Sequence, residues 1–123
     1  MSRALVLFAH GSRDANWALP FHSLRNQLLT LLPDQQIELA FLELMPPSLP
    51  DTVARLAEQA VSAIVVVPVF LAQGSHLRHE LPALIESLRN AYPELSIDVT
   101  PPIGEQAEVI AAIAACIARL AAA

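Results

Sequence analysis

The chain has 123 residues, enough for one domain with its own core, and at 54% apolar against 15% charged residues it is too apolar to stay disordered. A net charge of −5 with no basic run excludes nucleic acid as the expected partner. The longest apolar runs, Ile64 to Ala72 and Val109 to Ile117, are too short to span a bilayer.

The first residues carry no charged leader with a small-residue cleavage site, and the lone Cys116 has no internal disulfide partner. Both features fit a reducing cytoplasm.

Four short apolar runs alternate with four helical patterns. The first run is Ala4 to Ala9, followed by Trp17, Phe21, Leu24, Leu28 and Leu31 at spacings of three and four. Pro20 falls in the opening turn of that helix, where no backbone donor is needed. The second run, Gln36 to Leu42, precedes a stripe of Leu49, Val53, Leu56, Ala57 and Ala60. The third, Ala63 to Leu71, precedes Leu81, Leu84, Ile85 and Leu88, with Glu80 placed to cap or pair at the helix start. Pro68 inside that run predicts a bulge or local break, because a ladder position wants an amide donor. The fourth run, Leu95 to Thr100, precedes Val109, Ile110, Ile113, Cys116, Ile117 and Leu120. Cys116 on that apolar stripe reads as a buried small hydrophobe.

Strand–helix alternation of this kind means a parallel sheet with right-handed crossovers. Runs one and three are continuously apolar, as strands covered on both faces should be. Runs two and four interleave charged or polar residues, which suits sheet edges. The expected order is therefore 2-1-3-4, with a ligand crevice beyond the carboxyl ends of strands one and three.

Strand one runs into His10-Gly11-Ser12-Arg13, strand three into Gly74-Ser75-His76, and strand two ends at Glu43. Two imidazoles and a carboxylate thus reach one rim from three strands. Imidazole suits first-row divalent ions, and a carboxylate can complete an open ligand set or act as a base. His22 reads as a surface or groove residue, and His79 as a solvated side chain that could share a helical face with His76. A single glycine after strand one rules against a dinucleotide fingerprint. All seven basic residues are arginines, whose guanidinium forks grip carboxylates in a way lysine does not.

Three blocks carry a family resemblance: Leu-Phe-Ala-His10-Gly-Ser-Arg13-Asp14, Phe-Leu-Glu43-Leu-Met-Pro-Pro47, and Val-Pro-Val-Phe-Leu-Ala-Gln-Gly74-Ser-His76 with Glu80-Leu-Pro82. In this order and spacing they resemble the CbiX/SirB family of sirohydrochlorin cobalto- and ferrochelatases, in its short, single-domain class II form. The likeness implies one chelatase domain over residues 1–123, an α/β three-layer sandwich with a four-stranded parallel sheet. It implies ATP-independent insertion of a divalent metal (Co²⁺, Fe²⁺ or Ni²⁺) into a sirohydrochlorin-like tetrapyrrole, with no organic cofactor and with two copies pairing as a homodimer. His10 and His76 match the family's metal-handling histidines and Glu43 its acidic partner. Arg13 and Arg78 are the residues best placed to grip the substrate's carboxylate arms, with Ser12 and Ser75 adding hydrogen bonds. The competing readings are a non-catalytic metal or tetrapyrrole carrier, and a hydrolase using Ser12 or Ser75 with His76.

Overall fold

The computed structural model describes residues 2–123. Its elements in chain order are β1 (Arg3–Ala9), α1 (Leu19–Leu31), β2 (Gln36–Phe41), α2 (Leu49–Glu58), β3 (Ala63–Pro68), α3 (Ser75–Ala91), β4 (Ser96–Val99) and α4 (Ala107–Ala121). Short 3₁₀ turns at Ala15–Ala18 and Ile103–Glu105 precede α1 and α4. The four strands are parallel in the order β2-β1-β3-β4, as the strand patterns predict.

Alternation along the strands divides the core into two faces. Ala4, Val6 and Phe8 of β1 join Ile64 and Val66 of β3, packing under Leu49, Val53 and Leu56 of α2 and Leu77, Leu81, Ile85 and Leu88 of α3. Leu7 and Ala9 point the other way with Ile37, Leu39 and Phe41 of β2, beneath Trp17, Phe21, Leu24 and Leu28. Helices on both sides of one sheet give the expected three layers.

The element ends are set by local chemistry. Asp14 accepts from the Asn16 amide at 2.9 Å to open the first 3₁₀ turn, and Ser48 accepts from Asp51 at 3.1 Å to cap α2. Pro68 sits opposite Phe8 as the last residue of β3, so the proline ends the strand rather than bulging it. Leu71, read as part of the third run, lies beyond the strand and is exposed. Trp17 belongs to the 3₁₀ turn, and Leu31 at the end of α1 faces solvent.

Two expectations fail at the helices. The apolar stripe places the start of α3 near Glu80, but the helix begins at Ser75, so His76 and Arg78 lie on it. The second concerns α4, where the stripe predicts a core face. None of its residues is buried, and Ile110, Ile113, Ile117 and Leu120 are all exposed. Cys116 is exposed with them, which corrects its reading as a buried hydrophobe. The helix packs chiefly on the turn that precedes it, leaving Val65 and Val67 of β3 half-buried on the α1 side of the sheet.

Candidate functional site

The ladder between β1 and β2 does not stop where the strands do. Past the Ala9–Phe41 pair, the Leu42 amide donates to the Ala9 carbonyl at 2.9 Å and the Glu43 amide to the His10 carbonyl at 3.2 Å. His10 and Glu43 are therefore held side by side by main-chain bonds, and their side chains meet with Nε2–Oε1 at 3.4 Å. Gly11 makes this approach possible. Its φ of +99° suits glycine, and a Cβ there would overlap the Glu43 carbonyl. Leu44, just beyond, also takes a left-handed conformation at φ 69°, turning the chain away after Glu43 has been delivered.

On the far side of β1, the Val69 amide donates to Phe8 at 2.8 Å and leads the chain into α3. Gly74 is the N-cap of α3, and His76 stands in its first turn. The Nε2 of His76 lies 3.1 Å from Oε2 of Glu80, one turn on. His10, Glu43, His76 and Glu80 all line one cleft of about 510 Å³, floored by Leu42, Phe70, Ala72, Gly74 and Leu77. The cleft lies beyond the carboxyl ends of β1 and β3, where the strand order reverses.

Its electrostatics are local. Neither imidazole–carboxylate pair is buried: His10 and Glu43 are each 56% exposed, His76 85% and Glu80 52%. Among the described residues no three His, Cys, Asp or Glu side chains converge on one point. The site is two separate pairs facing one space, an arrangement suited to holding a divalent ion loosely and releasing it. A groove of about 580 Å³ at the opposite end of the sheet, lined by Ala57, Val61, Tyr92 and Leu95 among others, brings no imidazole to its walls.

The remaining sequence-predicted residues are placed less uniformly. Ser12 accepts from the Asp14 amide at 3.1 Å, fixing the turn after His10, and Arg13 next to it is exposed. Ser75 is exposed on the first residue of α3. None of these three lines the cleft. Arg78 faces a neighbouring groove of about 490 Å³ with Gln73, Arg89 and Thr100. His22 is exposed on α1 beside Arg25 and Arg55, away from the cleft. Glu80 is the residue that sequence reasoning undervalued. Its spacing of four from His76 was the available signal, once both are known to lie on one helix.

Comparison with known proteins bears on this geometry. The CbiX family model matches residues 4–120. A sirohydrochlorin cobaltochelatase from Methanopyrus kandleri is 34% identical over 82 residues, covering 67% of this chain and 57% of that protein. The Methanocaldococcus jannaschii sirohydrochlorin cobaltochelatase is 36% identical over 90 residues, with the same two coverages of 67% and 57%. This chain thus spans little more than half the length of those relatives. Among solved structures, a CbiX protein from Marinobacter aquaeolei VT8 superposes with a TM-score of 0.84 at 36% identity over 95% of both chains. The sirohydrochlorin chelatase SirB from Bacillus subtilis subspecies spizizenii, in complex with cobalt, gives 0.77 at 26% identity, covering 97% of this chain and 51% of that one. With this sheet order, two histidines on one cleft and a family match running nearly end to end, the chain belongs to the CbiX family.

Proposed function

We propose that this protein is a sirohydrochlorin chelatase, inserting divalent cobalt or iron into a carboxylated tetrapyrrole without ATP. The observation that carries the reading is the facing of His10–Glu43 and His76 across one cleft at the sheet's switch point. Insertion requires an ion partly stripped of water, removal of two pyrrole N–H protons, and donors weak enough to let the ring nitrogens take over. His10 and His76 supply nitrogen donors for the ion, which is substrate here, and Glu43 supplies a carboxylate that ligates it or accepts a proton. Each metal ion taken up by the ring releases two protons, and the imidazoles and carboxylates at the cleft pass these to solvent. Arg13 and Arg78 lie outside the cleft wall and suit the acetate and propionate arms at the macrocycle's edge, with Ser12 and Ser75 adding hydrogen bonds.

A second copy of the chain is the partner we propose for α4. Its exposed isoleucines and Leu120 form an apolar surface, and Val65 and Val67 of β3 are only half-buried. SirB is about twice as long and one half of it accommodates this chain, which supports a pair of such units. Among the described residues no helix is long and apolar enough to cross a membrane.

A stable carrier would gain from a complete ligand set, and the split pairs argue for transfer instead. The hydrolase reading lacks support, since Ser12 is committed to its own turn and neither serine bonds a histidine among the described residues.

The test is an anaerobic absorbance assay with sirohydrochlorin and Co²⁺, Fe²⁺ or Ni²⁺. Wild-type protein should accelerate insertion, and His10→Ala and His76→Ala should each lose about a hundredfold or more of that rate. Metal binding with no rate above the uncatalysed reaction would leave a carrier.

A further inference from the structure

His76 and Glu80 are four residues apart on α3, so they lie one turn apart on one face. Helix stability does not explain the pair. A helix N-terminus favours an acid in its first turn and a base towards its end, and the order here is reversed, with imidazole first and carboxylate a turn later. Both groups are more than half exposed, so their mutual attraction adds little to the fold.

The distances fit a different use. Two donors each about 2.1 Å from one ion stand about 3.0 Å apart when they subtend a right angle and about 3.4 Å apart at the tetrahedral angle. The observed Nε2–Oε2 separation of 3.1 Å in His76–Glu80 lies within that span, and His10–Glu43 at 3.4 Å meets its upper end. Each pair already has the bite of a two-donor chelate. His76 is the more exposed of the two histidines, while the two carboxylates are about equally open to solvent.

We propose that Glu80 is the fourth donor of this site, and that His76 and Glu80 hold the divalent ion as one chelating pair facing His10–Glu43 across the cleft. The proposal rests on the chelatase reading for its purpose, but its test does not depend on turnover. Co²⁺ alone would be titrated into the full chain and followed by calorimetry and by its visible absorption. The proteins would be wild type, Glu80→Gln, Glu80→Ala, His76→Ala and the double variant His76→Ala/Glu80→Gln, with circular dichroism checking their fold.

Glu80→Gln keeps the size and contact of the side chain but removes the anionic donor. It should weaken Co²⁺ binding by about tenfold or more, at least what the loss of an outer-shell partner costs, and change the absorption band. The double variant should bind little worse than His76→Ala, because a chelate is lost once either arm goes. Wild-type affinity in Glu80→Gln would overturn the proposal, whether or not Glu80→Ala is weakened, since a surviving amide would mean that Glu80 only steadies the imidazole. Fully additive losses would overturn the pairing with His76. Weakened Co²⁺ binding in Glu80→Gln, with no chelation by the wild type, would sink the chelatase reading and leave Glu80 as a donor. Chelation by the wild type with unchanged Co²⁺ affinity in Glu80→Gln would do the reverse.

Discussion

At the scale of single residues, the site depends on a glycine as much as on its donors. Gly11 carries no chemistry, yet its φ of +99° and its contact with the Glu43 carbonyl fix how closely two chain segments approach. Gly11→Ala should cost about 1–3 kcal/mol in a denaturant melt, the usual range for a strained backbone position. It should also weaken Co²⁺ binding although every ligating atom remains, because the Cβ pushes Glu43 away from His10. An unchanged midpoint and affinity would mean that the loop after β2 adjusts freely and that the Gly11–Glu43 approach is not what orders the pair. His10, Glu43 and His76 were legible in the string because strand ends in a parallel sheet share one rim. The directions of Ser12 and Arg13 were not, since a turn sets them through the Ser12–Asp14 bond, and no periodicity encodes that.

Among the elements, strands were easier to read than helices. Continuous apolar runs mark β1 and β3 as central, and mixed runs mark β2 and β4 as edges, because side-chain alternation reports directly on which faces are covered. Helical periodicity says only that an apolar stripe exists, not what lies against it. This is why α4 misleads. Its stripe of Ile110, Ile113, Ile117 and Leu120 is real, but within one chain none of the four is buried. The start of α3 was missed for a related reason: an apolar stripe beginning at Leu81 is silent about the polar first turns that carry His76. Replacing Ile113 and Ile117 of α4 by glutamate should leave the unfolding free energy of dilute monomer within about 0.5 kcal/mol, as for exposed sites generally. In light scattering the same change should abolish the proposed dimer. Loss of folded monomer would instead show that α4 packs on its own sheet, and an unaltered mass would put the contact elsewhere.

For the whole molecule, one sheet sets the location of everything else. Its two faces carry α1 on one side and α2 with α3 on the other, and its carboxyl end carries both imidazole–carboxylate pairs of the cleft. His10–Glu43 rides on the prolongation of β1 and β2, and His76–Glu80 on a helix locked by Leu77 and Leu81 in the core beneath it. The carboxylates and imidazoles are therefore wet while the backbone under them belongs to the interior. Hydrogen exchange should make that division visible. The amides of Leu42 and Glu43, bonded to Ala9 and His10, should exchange on the slow timescale of central strands, whereas the exposed Arg13 amide exchanges near the rate of an open chain. Fast exchange at Leu42 and Glu43 would mean that the prolonged ladder frays in solution. If they are slow, an arriving ion would find the Glu43 carboxylate already in place, and the entropy of assembling that half of the site was spent when the protein folded.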